Sequence, residues 1–197
     1  HKNDELAIIS KNENSDLVKI TYNELYLSVA KLAYSLKKLG LKQGDRVAAV
    51  LPNSHEAVIA MLATTSIGAI WSSCSPDFGI ASVTDRFKQI EPKFIFSIYS
   101  YYYNGKSFDF HEKLNSIIEN LPSLEKIIIS TPCTLQSSKS KPHLDFSDLL
   151  ENKESEIKFE RLPFDHPAFI LYTSGTTGLP KSIVHGAGGT LLQHNKE

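Results

Sequence analysis

Cysteine is scarce: 197 residues hold two, Cys74 and Cys133, with no Cys-x-x-Cys pair and no histidine at a zinc-site spacing. A disulfide framework and a structural zinc are thereby excluded as sources of stability, and both residues read as buried or incidental thiols of a reducing compartment. Excess charge is also missing. The 21 Lys and Arg stand against 22 Asp and Glu, a net of −1, which offers nucleic acid no basic face and disfavours that partner. No stretch reaches the roughly 18 consecutive apolar residues that span a bilayer, and the start, His1-Lys2-Asn3-Asp4-Glu5, has no apolar leader. The expected location is the cytoplasm, with no membrane partner. An initiating methionine is absent as well, and residues 189–197 read as the start of a helix with no stop signal, so the chain is expected to be part of a longer protein. The acidic residues form no paired arrangement that marks a metal site.

What is present is a regular alternation of strand and helix patterns. Residues 6–9 and 17–20 read as a hairpin around a polar turn. Thr21 and Glu24 then form a capping box, and Tyr22, Leu25, Val29, Leu32, Leu36 and Leu39 recur three and four apart as one apolar helix face, ended by Gly40. Residues 47–51 are continuously apolar, as in a strand covered on both faces. Helices are expected near 54–67, 80–90 and 110–120, strands from 69, over 93–98 and over 126–129, and a short helix within 145–152. Residues 130–143 are polar and read as an exposed insertion loop. The order β-α-β-α-β with short connections predicts an α/β fold: a mostly parallel sheet with helices on both faces.

The stretch that carries chemistry follows the strand over 168–172. It runs Tyr172-Thr173-Ser174-Gly175-Thr176-Thr177-Gly178-Leu179-Pro180-Lys181. Hydroxyls and backbone N–H groups can hydrogen-bond phosphate oxygens, glycines let the backbone approach, and Lys181 brings a positive charge. A flexible Ser/Thr/Gly surface turn is the plainer alternative, though it leaves the lysine without a reason. The spacing nearly matches the Walker template G-x-x-x-x-G-K-[ST], with Gly175 first and Lys181-Ser182 last. Pro180, however, stands at the second glycine, where it can neither take positive φ nor donate a hydrogen bond. The β-branched residues after Lys181 also oppose the helix that a Walker loop opens. In an open parallel sheet the loop would sit at the carboxyl edge, where ligands collect.

The run 173–181 is a full match to the signature [ST]-S-G-[ST]-T-G-x-P-K, and on it the chain resembles the adenylate-forming superfamily of acyl-CoA synthetases, luciferases and peptide-synthetase adenylation domains. Ser182 replaces the glycine that family members commonly carry after the lysine. Further stretches at 44–47, 51–53, 56–63, 68–79, 103–106 and 183–189 are similar to one branch, the acetoacetyl-CoA synthetases, so the resemblance covers nearly the whole chain.

That resemblance implies a two-step ligase using ATP, coenzyme A and Mg2+, which joins acetoacetate or a similar short acid to the thiol. Acetyl- or propionyl-CoA synthetase is the alternative within the family, and a non-catalytic nucleotide-binding module the alternative outside it. It implies that Thr173, Ser174, Thr176, Thr177 and Lys181 hold the β- and γ-phosphates, with Gly175 and Gly178 allowing the approach and Lys181 named as catalytic. Lys106, after the Asn104-Gly105 turn, is implied near the coenzyme A 3′-phosphate, with a solvated turn lysine equally compatible. Trp71 reads as a core residue or a tunnel wall, and His185 as a satisfied structural histidine. The chain is expected to be the N-terminal portion, over 1–197, of an AMP-binding domain. Its magnesium ligands, adenine contacts and mobile C-terminal domain would lie elsewhere, and the chain alone would be inactive.

Overall fold

A computed structural model describes residues 3–130, 141–173 and 178–196. Strands β1 (Leu6–Ser10) and β2 (Val18–Thr21) pair as an antiparallel hairpin. Thr21 then caps α1 (Tyr22–Lys38) as its residue types dictate. The Thr21 hydroxyl accepts the Glu24 amide at 3.2 Å, while the Glu24 carboxylate accepts the Thr21 amide at 2.8 Å. Val29, Leu32 and Leu36 on the apolar face are buried, whereas Tyr22, in the first turn, remains half exposed.

The main body alternates strand and helix: β3 (Arg46–Val50), α2 (His55–Ser66), β4 (Ile70–Cys74), α3 (Ile80–Phe87) and β5 (Phe94–Ser97). A small hairpin of β6 (Ser100–Tyr103) and β7 (Lys106–Asp109) follows, then α4 (His111–Glu119), β8 (Lys126–Ile129) and β9 (His143–Asp145). The chain ends in β10 (Pro167–Thr173), β11 (Lys181–Gly186) and α5 (Ala187–Lys196). Seven strands form one sheet in the order β11-β10-β4-β3-β5-β8-β9, with every neighbouring pair parallel except β10 and β11.

The expected α/β architecture with a mostly parallel sheet is therefore present. From β3 the chain moves to one side to make β4, then returns past β3 to make β5 and β8. Right-handed crossovers put α2 on one face and α3 with α4 on the other. The packing agrees, α1 lying against α2 and α3 against α4. The centre of the sheet is dry on both sides: Val47, Ala48, Ala49 and Val50 of β3, and Phe94, Ile95 and Phe96 of β5, have no solvent exposure. This is why their sequences show no polar alternation.

Two expectations are corrected. The helix expected within 145–152 is only a single 3-10 turn at Asp148–Leu150. Asp145 accepts the amide and hydroxyl of Ser147 at 2.7 and 2.6 Å, a local turn that competes with helix. Residues 143–145 instead form a strand on the edge of β8. Likewise, 100–109 form a hairpin where only its Asn104-Gly105 turn was foreseen. Both turn residues have positive φ, 51° and 71°, the geometry that joins two strands with a two-residue connection. Most of the insertion loop, 131–140, lies outside the described residues, as does Cys133.

Candidate functional site

Strand β10 ends at Thr173 and β11 begins at Lys181, and these two residues stand directly opposite each other in the antiparallel register. Directly opposed residues share a face, with Cβ atoms about 4.5–5.5 Å apart. A hydroxyl and an ammonium therefore flank the mouth of the 174–180 connection. Of the residues named from the signature, Thr173, Gly178 and Lys181 are placed here; Ser174, Gly175, Thr176 and Thr177 lie outside the described residues. Gly178 is exposed, with open space where a Cβ would stand.

The mouth is braced by the end of α3 and the residues just after it. Gln89 donates its side-chain amide to the Pro180 carbonyl at 2.9 Å and to the Asp85 carbonyl at 2.8 Å. Tyr172 donates its hydroxyl to the Arg86 carbonyl at 2.9 Å, and burial pushes its phenol up to about 12. The Arg86 guanidinium lies 5.7 Å from the Tyr172 ring centre and 5.0 Å from that of Phe78, within cation–π range. Its Nη1 donates to the Ser82 carbonyl at 2.7 Å. Neither Arg86 nor Lys181 is engaged by an ion pair among the described residues. The strand end thus carries two cationic side chains with no paired carboxylate, which suits an anion. Arg86 and Gln89 were not anticipated from the sequence.

Beside this mouth, at the carboxyl ends of β3 and β4, is a cleft of about 820 Å³. Its walls come from Pro52 and Asn53 after β3, Trp71 and residues 73–77 of β4 and its turn, Ile9 and Lys11 of the first hairpin and its turn, and Tyr101, Tyr102 and Tyr103 of β6. Strand β10 runs parallel to β4 with Phe169 level with Trp71, so cleft and loop open on the same edge of the sheet. That edge is where a doubly wound sheet gathers its ligands.

Trp71 is the core residue foreseen: it is buried, with its ring centre 6.0 Å from that of Phe96, and it also forms part of the cleft wall. Cys74 is buried, and burial raises its thiol to about 11 against the opposing charge of Arg86, so it stays a neutral apolar wall rather than a nucleophile. Tyr101 is anchored by stacking on Phe108 at 5.2 Å. Burial first, and then a hydrogen bond to Asp77 with that carboxylate's charge, raise the Tyr101 phenol above its ordinary value. Lys106 is exposed at the start of β7, opposite Tyr103, on a hairpin separate from the one that carries Lys181. His185 departs from expectation. It is exposed on β11 rather than enclosed. Among the described residues no group of three or more His, Cys, Asp and Glu could hold a metal ion.

These features match known proteins over the whole chain. Acetoacetyl-CoA synthetase of Gallus gallus is 49% identical over 207 residues, covering 100% of this chain and 31% of the relative. Acetoacetyl-coenzyme A synthetase of Rhizobium meliloti is 44% identical, covering 97% of this chain and 30% of the relative. Among solved structures, acetoacetyl-CoA synthetase from Streptomyces lividans superposes with a TM-score of 0.90 at 41% identity, over 96% of this chain and 29% of that one. The chain therefore spans about a third of the length of the curated relatives it matches. The model of the family described as AMP-binding enzyme fits residues 1–195, and the chain belongs to that family.

Proposed function

We propose that this chain is the N-terminal portion of an acetoacetate–CoA ligase, and that the longer protein activates acetoacetate with ATP before transferring it to coenzyme A. The observation that carries this reading is the signature 173–181, closed by the opposed pair Thr173 and Lys181 at the carboxyl edge of the sheet. The chain around it is similar throughout to acetoacetyl-CoA synthetases.

The chemistry explains the residue types. A carboxylate is a poor acyl electrophile until an oxygen carries a leaving group. In the first step that oxygen bonds the α-phosphorus as the bond to pyrophosphate breaks, and charge accumulates on the departing phosphates. Lys181, with the hydroxyls of Thr173, Ser174, Thr176 and Thr177, meets that charge, while Gly175 and Gly178 let the backbone come close. In the second step the coenzyme A sulfur bonds the acyl carbon, AMP departs with the bonding pair, and the thiol proton passes to solvent. The cleft beside the loop gives the thiol its approach, and Lys106 meets the 3′-phosphate of the coenzyme. Mg2+, when bound, supplies further charge to the phosphates through ligands outside this chain. The reaction belongs in the cytoplasm; no helix among the described residues is long and apolar enough to cross a membrane.

The test is ATP–pyrophosphate exchange by the complete protein with acetoacetate, acetate, propionate and butyrate in parallel. Acetoacetate is expected to support the fastest exchange. Exchange with acetate but not acetoacetate would overturn the substrate, and no exchange with any acid would overturn the ligase reading. The isolated chain is expected to catalyse neither step, and pyrophosphate release from it at the rate of the complete protein would contradict its assignment as a portion.

A further inference from the structure

Two hairpins whose tips lie 91 residues apart in sequence border the same cleft. The first, β1 and β2, contributes Ile8, Ile9 and Ser10; the second, β6 and β7, contributes Tyr101, Tyr102 and Tyr103. One side chain ties their tips together. Glu13, in the turn between β1 and β2, accepts the Asn104 amide on Oε1 at 2.9 Å and the Gly105 amide on Oε2 at 2.7 Å. These are charge-assisted bonds to two consecutive turn amides. The Gly105 bond first, and the Asn104 bond second, hold the Glu13 carboxyl below its ordinary value.

The two ends of the second hairpin are fixed differently. At its base Tyr101 stacks on Phe108 and meets Phe110 edge-on at 6.3 Å, so that end is anchored to the body of the protein. At its tip Tyr103 is 58% exposed and β7 is exposed along its length, so little apolar packing orients the turn. The hydrogen bonds that orient it come from Glu13, and the next residue along is Lys106.

We propose that Glu13 is a positioning residue for the second substrate. By latching the Asn104-Gly105 turn to the first hairpin it fixes Tyr103 in the cleft wall and Lys106, paired with Tyr103 across the hairpin, to meet the phosphorylated nucleotide end of the thiol substrate. It acts on thiol capture and leaves the chemistry at the 173–181 loop untouched. The proposal rests on the ligase reading above.

The test uses the complete protein and the variants Glu13→Ala and Glu13→Gln, with adenylation and thioester formation followed separately. In Glu13→Ala the KM for coenzyme A is expected to rise about tenfold, with kcat and acetoacetate-dependent ATP–pyrophosphate exchange within about twofold of the parent. Glu13→Gln, which keeps one acceptor oxygen, should fall between. Amide hydrogen exchange at Asn104 and Gly105 should accelerate in Glu13→Ala while that of Val47 to Val50 is unchanged, a readout that separates latch loss from misfolding. An unchanged KM for coenzyme A, or exchange and thioester formation falling in parallel, would overturn the positioning role and leave the ligase reading standing. A parent protein that forms no thioester from any acid would overturn both.

Discussion

Within this chain, the two halves of the seven-stranded sheet differ in how far they are covered. On one side β3, β5 and β8 lie under helices on both faces, and their central residues are sealed from water. On the other, β11 is exposed at every position from Lys181 to His185, and Leu171 of β10 is half exposed. The first half stores stability. In the second, Lys181 is exposed at the start of β11, and the strand ends are held by directed bonds from Gln89, from Tyr172 and from Ser72, whose hydroxyl donates to the Ile170 carbonyl at 2.8 Å. Stability and chemistry are thus separable by substitution.

The largest effect is expected at Phe96, which is fully buried, with ring centres 6.0 Å from Trp71 and 6.2 Å from Phe146. Phe96→Ala should cost about 3–5 kcal/mol in denaturant unfolding, a large share of the stability of a domain this size. A loss below about 1 kcal/mol would mean that the centre of the sheet is not the stabilising half.

A smaller effect, visible as a pH dependence, is expected on the stable side at His143. This residue is buried on β9, with Nδ1 hydrogen-bonded to the Tyr99 hydroxyl and Nε2 without a hydrogen-bond partner among the described residues. Burial, and secondarily the charge of His111, lower its folded pKa. As pH falls, the unfolded chain takes up the proton first, near the ordinary value of about 6.5. Stability is therefore complete above that value and is lost as pH drops through it toward the folded value. His143→Gln should flatten the decline between pH 7.5 and 5.5 in denaturant titrations, and a decline identical to the parent's would remove His143 as its cause.

The smallest effect is expected on the exposed side. Val184 on β11 is 57% exposed, and Val184→Ala should shift the stability of this chain by no more than about 0.5 kcal/mol. A loss above about 1 kcal/mol would erase the contrast between the two halves.

Much of the stable half was legible because its signals are local. The Thr21 and Glu24 box, the spacing of Val29, Leu32 and Leu36, and the unbroken apolar run at 47–51 each lie within one element. Strand β9 was not legible, since three residues at His143–Asp145 become a strand only through β8, across a polar loop. The β6–β7 hairpin announced its turn but not its strands, because Tyr101 and Phe108 are fixed by each other rather than by periodicity. At the candidate site, the strand before the loop was readable from its apolar run, while Ser174, Gly175, Thr176 and Thr177 lie outside the described residues. The bracing of the strand ends was not: Gln89, just after α3, and Arg86, within it, reach them from 91 and 86 residues earlier, Arg86 by its carbonyl as well as by its guanidinium.

The central claim is that Lys181, held opposite Thr173, serves phosphate chemistry and not the fold. Its direct test is Lys181→Ala in the complete protein, with acetoacetate-dependent ATP–pyrophosphate exchange and unfolding measured on the same preparation. Exchange should fall on the order of 100-fold, as for loss of one charge-stabilising donor, with the unfolding midpoint unchanged. Exchange at the parent rate, or a loss explained by a matching drop in stability, would contradict the account.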